Sequence, residues 1–213
     1  MSSRRPDPAP PGAGPSLGEI LGGRGGALDA SAAPAAFVAG FGIAQAAGSP
    51  SALLWGGGAA LGVGVVVCAI RLTRGRRPAA GLAGLLGVAV AVLVALYTGR
   101  AVDFFLLQIV SNAASALAWS VSIAVRWPLL GVVIAIASNR GMAWRQDPAR
   151  VRAYSRASWV WVGLFSLRLA VQLPLYLTGA IVALGVTRVA MGVPLFVVGI
   201  WLSWLVLRTG DRD

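Results

Sequence analysis

Between residues 28 and 207 the chain is built from apolar runs, most of them close to the ~20 residues that a helix needs to cross the hydrocarbon of a bilayer. Charges are confined almost wholly to the short stretches between the runs. That pattern leaves few solutions. In lipid no water is present to satisfy backbone groups, and a helix is the structure that pairs its N–H and C=O groups within one segment. Composition agrees, since 57% of the residues are hydrophobic and 12% are charged. Soluble domains carry roughly 25% charged residues, and a soluble fold of 213 residues could not cover its surface with half that share. Mean hydropathy is +0.78.

The runs place spans at about 28–47, 51–70, 79–97, 104–125, 157–177 and 189–207. The apolar stretch 129–137 is too short to cross, and Pro128 and Gly131 interrupt the helix before it, so a re-entrant or interfacial piece is expected there. The fold class is therefore all-α, a polytopic membrane helix bundle over 28–208 with about six transmembrane helices plus that short segment. Residues 1–27, rich in Pro, Gly and Ser, are expected as a flexible tail. Their first charges are followed by Pro-rich sequence and not by the apolar core of a secretory signal. Residues 209–213 are expected as a short C-terminal tail.

Orientation follows from arginine, which supplies all 18 basic residues. With the N-terminus inside, one side holds Arg4, Arg5 and Arg24, then Arg71, Arg74, Arg76 and Arg77. The same side holds Arg126, Arg140, Arg145, Arg150, Arg152 and Arg156, and finally Arg208 and Arg212. The opposite side keeps Arg100 and Arg188, and Arg168 lies within a span. Arginine-rich loops stay cytoplasmic during insertion, so a multi-pass protein of the cell membrane with both termini in the cytoplasm is expected. Arginine without lysine, with abundant Ala, Gly and Pro, points to a GC-rich, actinomycete-like source. The net charge of +11 is spread between spans and forms no soluble basic stripe. The bilayer, with anionic lipids at the basic loops, is thus the expected partner, and nucleic acid is not.

Polar residues inside the runs are the candidate site. Arg168 lies near the middle of the fifth span, where a central arginine costs about 2.5–3.5 kcal/mol even on insertion scales. Gln172 shares its face, and Pro174 frees the carbonyl of Ala170 and would break the span. On the fourth span Gln108, Asn112 and Ser115 follow i, i+4, i+7 spacing, Ser122 extends the stripe, and Asp103 stands at its outer mouth. The two faces are expected to meet, with Arg168 bonded to Asn112 or Gln108. Such a cluster serves either as a clamp between helices or as a site where Arg168 binds an anion or a headgroup.

Small residues also recur at packing intervals, with Gly58 and Gly62 as a small-xxx-small pair beside Ala60 and Gly64. Trp127, Trp144, Trp159, Trp161, Trp201 and Trp204 fall near the cytoplasmic boundary, where amphipathic rings act as anchors. Histidine is absent and Cys68, in an apolar run, is the single cysteine. Neither a disulfide within the chain nor a Cys/His metal cluster can form, and no G-x-S-x-G, P-loop or H-E-x-x-H motif is present. No enzyme activity, metal or cofactor is expected.

Three segments carry a resemblance: GLLGVAVAVLVALYTGRAVDFFL, VRWPLLG and AWRQDPARVRAYSRASWVWVGLFSLRLAVQLPLY. Over roughly residues 17–208 the chain resembles the actinobacterial membrane family known as domain of unknown function 3159. Its most specific parts are T-G-R-x-x-D-F-F (Thr98 to Phe105) and R-x-x-V-Q-x-P-L-Y (Arg168 to Tyr176). The resemblance implies a multi-spanning membrane protein and no established activity. More distantly, Arg126-Trp127-Pro128-Leu129 and Ser158-Trp159-Val160-Trp161 are similar to segments of the intracellular septation protein A family. That similarity implies an envelope or division-associated role. The expected function is a non-enzymatic interaction protein that meets other membrane proteins or a second copy. The alternative is a small transporter or channel centred on Arg168, Gln172 and Asn112.

Overall fold

The computed structural model describes residues 23–74, 78–138 and 141–210, and every regular element among them is helical. Helix α1 is Gly23–Ala46, α2 is Ala52–Thr73 and α3 is Pro78–Thr98. A short 3₁₀ helix, Ala101–Phe105, leads directly into α4, Leu106–Ala124. Helix α5, Leu129–Ser138, and a second 3₁₀ helix, Ala143–Gln146, precede the long α6, Pro148–Leu177. Helices α7, Ile181–Ala190, and α8, Val193–Gly210, complete the chain. The fold is an all-α membrane bundle, as its apolar runs require.

Five stretches are long and apolar enough to cross a membrane: Ala52–Thr73, Gly81–Thr98, Ala101–Ala124, Pro148–Leu177 and Ile181–Arg208. The first expected span corresponds to α1, whose apolar part, Ser31–Ala46, is shorter. Most of the expected tail lies outside the described residues, but 23–27 already belong to α1.

Helix α6 begins nine residues before the expected span. Asp147 caps it by accepting from the backbone N–H groups of Ala149 (2.9 Å) and Arg150 (3.4 Å), and Pro148 takes the first helical position, where no N–H is needed. Much of the expected polar loop is therefore helix. Nor does α6 break at Pro174, which is held within the helix close to its end. The discontinuity lies in the next apolar stretch. Pro194 cannot donate to the carbonyl of Ala190, and its ring crowds that carbonyl, so α7 stops at Ala190 and α8 starts at Val193. Arg188, expected outside the membrane, sits inside this interrupted stretch.

Close packing selects particular glycines. A Cβ on Gly40 would stand 2.9 Å from the Cβ of Ala59, and one on Gly56 would stand 3.1 Å from the carbonyl oxygen of Phe37. These two positions let α1 and α2 touch backbone to backbone. The buried stripe of α2 is Gly56, Ala60, Gly64 and Cys68. The expected Gly58 and Gly62 pair instead faces open space.

Two cores result. One gathers Phe37, Val92, Phe104, Phe105 and Leu184, with the rings of Phe37 and Phe104 stacked at 4.0 Å. The other surrounds Leu130, Ala157 and Trp161, with Trp119 stacked on Trp161 at 5.4 Å. Trp161 and Trp144 are thus buried packing residues and not boundary anchors, whereas Trp127, Trp159, Trp201 and Trp204 are exposed.

Candidate functional site

Helices α4 and α6 pack against each other, so the two polar stripes do meet. The pairing within them differs from expectation. Asn112 is 5% and Gln172 is 2% exposed, and the Nδ2 of Asn112 donates to the Oε1 of Gln172 at 3.0 Å. Arg168 bonds neither Asn112 nor Gln108. Its Nη2 donates to the carbonyl oxygen of Gly192 at 2.7 Å, in the gap between α7 and α8. The physical reason is helical rotation. Residues 168 and 172 are four apart, which offsets them by about 40° around α6 at 3.6 residues per turn. That turn is enough to aim Gln172 at α4 and Arg168 at α8. Among the described residues the Nε of Arg168 has no partner, and neither has the Oε1 of Gln108.

Asp103 is 3% exposed and accepts a 2.6 Å hydrogen bond from the Tyr176 hydroxyl. The guanidinium of Arg100 lies 5.7 Å from the centre of the Tyr176 ring. Thr98 Oγ1 donates to the Val94 carbonyl at 3.0 Å and finishes α3 just before this turn. The T-G-R-x-x-D-F-F and R-x-x-V-Q-x-P-L-Y runs are thereby joined at one end of the bundle. Tyr176 is the partner that sequence reasoning missed. It follows Arg168 and Gln172 at i+8 and i+4, so a longer reading of the same stripe would have found it.

Ser122 belongs elsewhere. Its Oγ donates to the Trp119 carbonyl at 2.7 Å and accepts from the Leu129 N–H at 3.3 Å, which ties the end of α4 to the start of α5. A further buried polar group, also missed, lies where α6 meets α8. Ser158, Trp161 and Ser203 are buried, and their Oγ and Nε1 atoms have no partner among the described residues. Single serines on an apolar helix give no signal of this kind.

Taken together, the candidate residues mostly answer one another. Asn112 pairs with Gln172, and Asp103 with Tyr176, between elements. A groove of about 710 Å³ lies apart from them, between α1 and α7, lined by residues such as Val38, Phe41, Gln45, Ile181, Val186 and Thr187. It is mainly apolar and carries none of the candidate residues.

No curated protein and no solved structure matches the chain. A family model does, and it covers both motif runs and every helix described above. The chain belongs to the family described as "Protein of unknown function (DUF3159)", which matches residues 21–213.

Proposed function

We propose that this protein is a non-enzymatic interaction protein of the cell envelope, associated with its assembly or division and held in the cell membrane with both termini in the cytoplasm. One observation carries the reading. The buried polar residues pair helix to helix, Asn112 with Gln172 and Asp103 with Tyr176. Residues used in this way fix how spans sit against each other and leave the exposed faces and basic loops to meet partners, either other membrane proteins or a second copy. The test is reconstitution of the purified protein in liposomes with a panel of ionic and neutral solutes. Absence of flux, with co-purification of a defined membrane partner, is the expected result. Solute movement above that of empty liposomes would overturn the reading.

A second reading, a small transporter or channel, is favoured by the interruption at Met191–Gly192. Interrupted helices line substrate sites in many transporters, and Arg168 reaches this one while keeping its Nε unpaired. On that reading Arg168→Ala abolishes flux without preventing insertion.

A further inference from the structure

The corner between α4 and α5 has a geometry that the clamp does not explain. Helix α4 ends in a capping pattern in which Trp127 N–H donates to the Ser122 carbonyl (2.8 Å) and Arg126 N–H to the Ile123 carbonyl (3.0 Å). The first of these two donors along the chain must be left-handed, a place where glycine is the usual choice. Here it is Arg126, at φ +56°, the only non-glycine residue with positive φ among the described residues. An arginine held where glycine is easier points to a use for its side chain. That side chain is exposed, and it has no hydrogen bond or ion pair among the described residues.

A second arginine is brought to the same corner. Trp144 is buried against Gly131 and meets Tyr154 edge-on at 5.2 Å, which seats the 3₁₀ helix 143–146 on α5 and α6. The next residue, Arg145, is thereby placed with its guanidinium 3.9 Å from the centre of the Trp127 ring. Trp127 is itself 43% exposed. The neighbouring carboxylate, Asp147, is already used by the α6 cap and by Arg150, whose Nε lies 3.3 Å away. The corner therefore keeps uncompensated positive charge.

Its position is also informative. Arg126 and Trp127 follow directly on the span Ala101–Ala124, and Arg145 precedes the span Pro148–Leu177. By length and composition, both spans have an end at this corner. We propose that Arg126, Trp127 and Arg145 form a binding site for the headgroup of an anionic phospholipid. The two guanidinium groups bind the phosphate oxygens, and the indole lies against the glycerol and upper acyl chain. The stack on Trp127 holds Arg145 in place before the lipid arrives, so little side-chain freedom is lost on binding.

The test is a titration of the detergent-purified full chain with a fluorescent short-chain phosphatidylglycerol, followed by anisotropy, with phosphatidylcholine as the comparison. A basic residue near an anionic surface contributes about 1 kcal/mol, or about a fivefold change in affinity. Arg126→Gly should weaken phosphatidylglycerol binding about fivefold and relieve the left-handed backbone, so the variant remains folded. Arg145→Gln should do the same, and the pair together should lose about 25-fold, with phosphatidylcholine binding unchanged. Arg145→Lys, which keeps the charge, should recover part of the loss. Equal binding of the two lipids would overturn the proposal, as would an undiminished preference in the double variant. Displacement of the lipid by millimolar inorganic phosphate would assign the site to a free anion and overturn it too.

Discussion

The Asn112–Gln172 hydrogen bond gives the most direct test of how the bundle is held. Both side chains are almost fully buried, and the bond is 3.0 Å long. Asn112→Leu and Gln172→Met keep side-chain shape nearly constant while removing the polar ends, so packing changes little. Each single change strands the partner amide in a dry interior. A buried donor or acceptor left unpaired costs about 1–3 kcal/mol, and interhelical bonds measured in one membrane protein reach about 1.7 kcal/mol. Each single variant should therefore lose about 1–2 kcal/mol of unfolding free energy. The double variant strands nothing, because replacing both partners by apolar groups of like shape is close to neutral. It should lie within about 1 kcal/mol of the unmodified protein, giving non-additivity of at least ~1 kcal/mol. Reversible unfolding in mixed micelles at increasing denaturing-detergent fraction supplies all four values of the cycle. Singles that add within about 0.5 kcal/mol in the double would refute the reasoning.

Three further tests bear on other parts of the structure. Tyr176→Phe removes the donor that reaches buried Asp103 and should cost about 1.5–3 kcal/mol, measured by the same unfolding titration. Gly56→Ala should destabilise by about 1–3 kcal/mol, because the added methyl meets α1 backbone at Phe37, whereas Gly58→Ala faces open space and should raise stability by up to about 1 kcal/mol. Ser158→Ala removes a buried hydroxyl that has no protein partner, so the variant should unfold at equal or higher detergent fraction. A loss of more than about 1 kcal/mol would mean that this hydroxyl is hydrogen-bonded.

How much was legible in the sequence depended on the length scale of each signal. Spans declare themselves because a 20-residue apolar run has one solution in lipid, and α2, α3 and α4 lie close to where the runs place them. Helix ends were readable only through local chemistry. The Asp147-Pro148 cap and the interruption before Pro194 each had a signal, and a hydropathy window passed over both. Choosing between Gly56 and Gly58 was beyond the sequence, since both lie in the run GGG and only the position of α1 decides which face is crowded. For the polar stripes, the i, i+4 spacing correctly brought α4 and α6 together. The bond to Gly192 was hidden for a different reason: the acceptor is a backbone carbonyl, which every residue possesses, so no residue type marks it.

That acceptor gives Arg168 a physical rationale. An arginine inside the hydrocarbon is costly, and an interrupted helix is costly as well, because carbonyls near the gap lose their intrahelical donors. The bond from Arg168 Nη2 to Gly192 O offsets part of the arginine's cost, as a second donor to a carbonyl that the Phe196 N–H already reaches at 3.3 Å. The contact connects α6 to the last apolar stretch at its interruption. The same helix reaches α4 through Gln172 and the 3₁₀ helix Ala101–Phe105 through Tyr176. Arg168, Gln172 and Tyr176 thus occupy three successive turns of α6 and bond the gap between α7 and α8, helix α4 and the first 3₁₀ helix. The R-x-x-V-Q-x-P-L-Y run is, in physical terms, the set of attachment points along the strut that holds this bundle together.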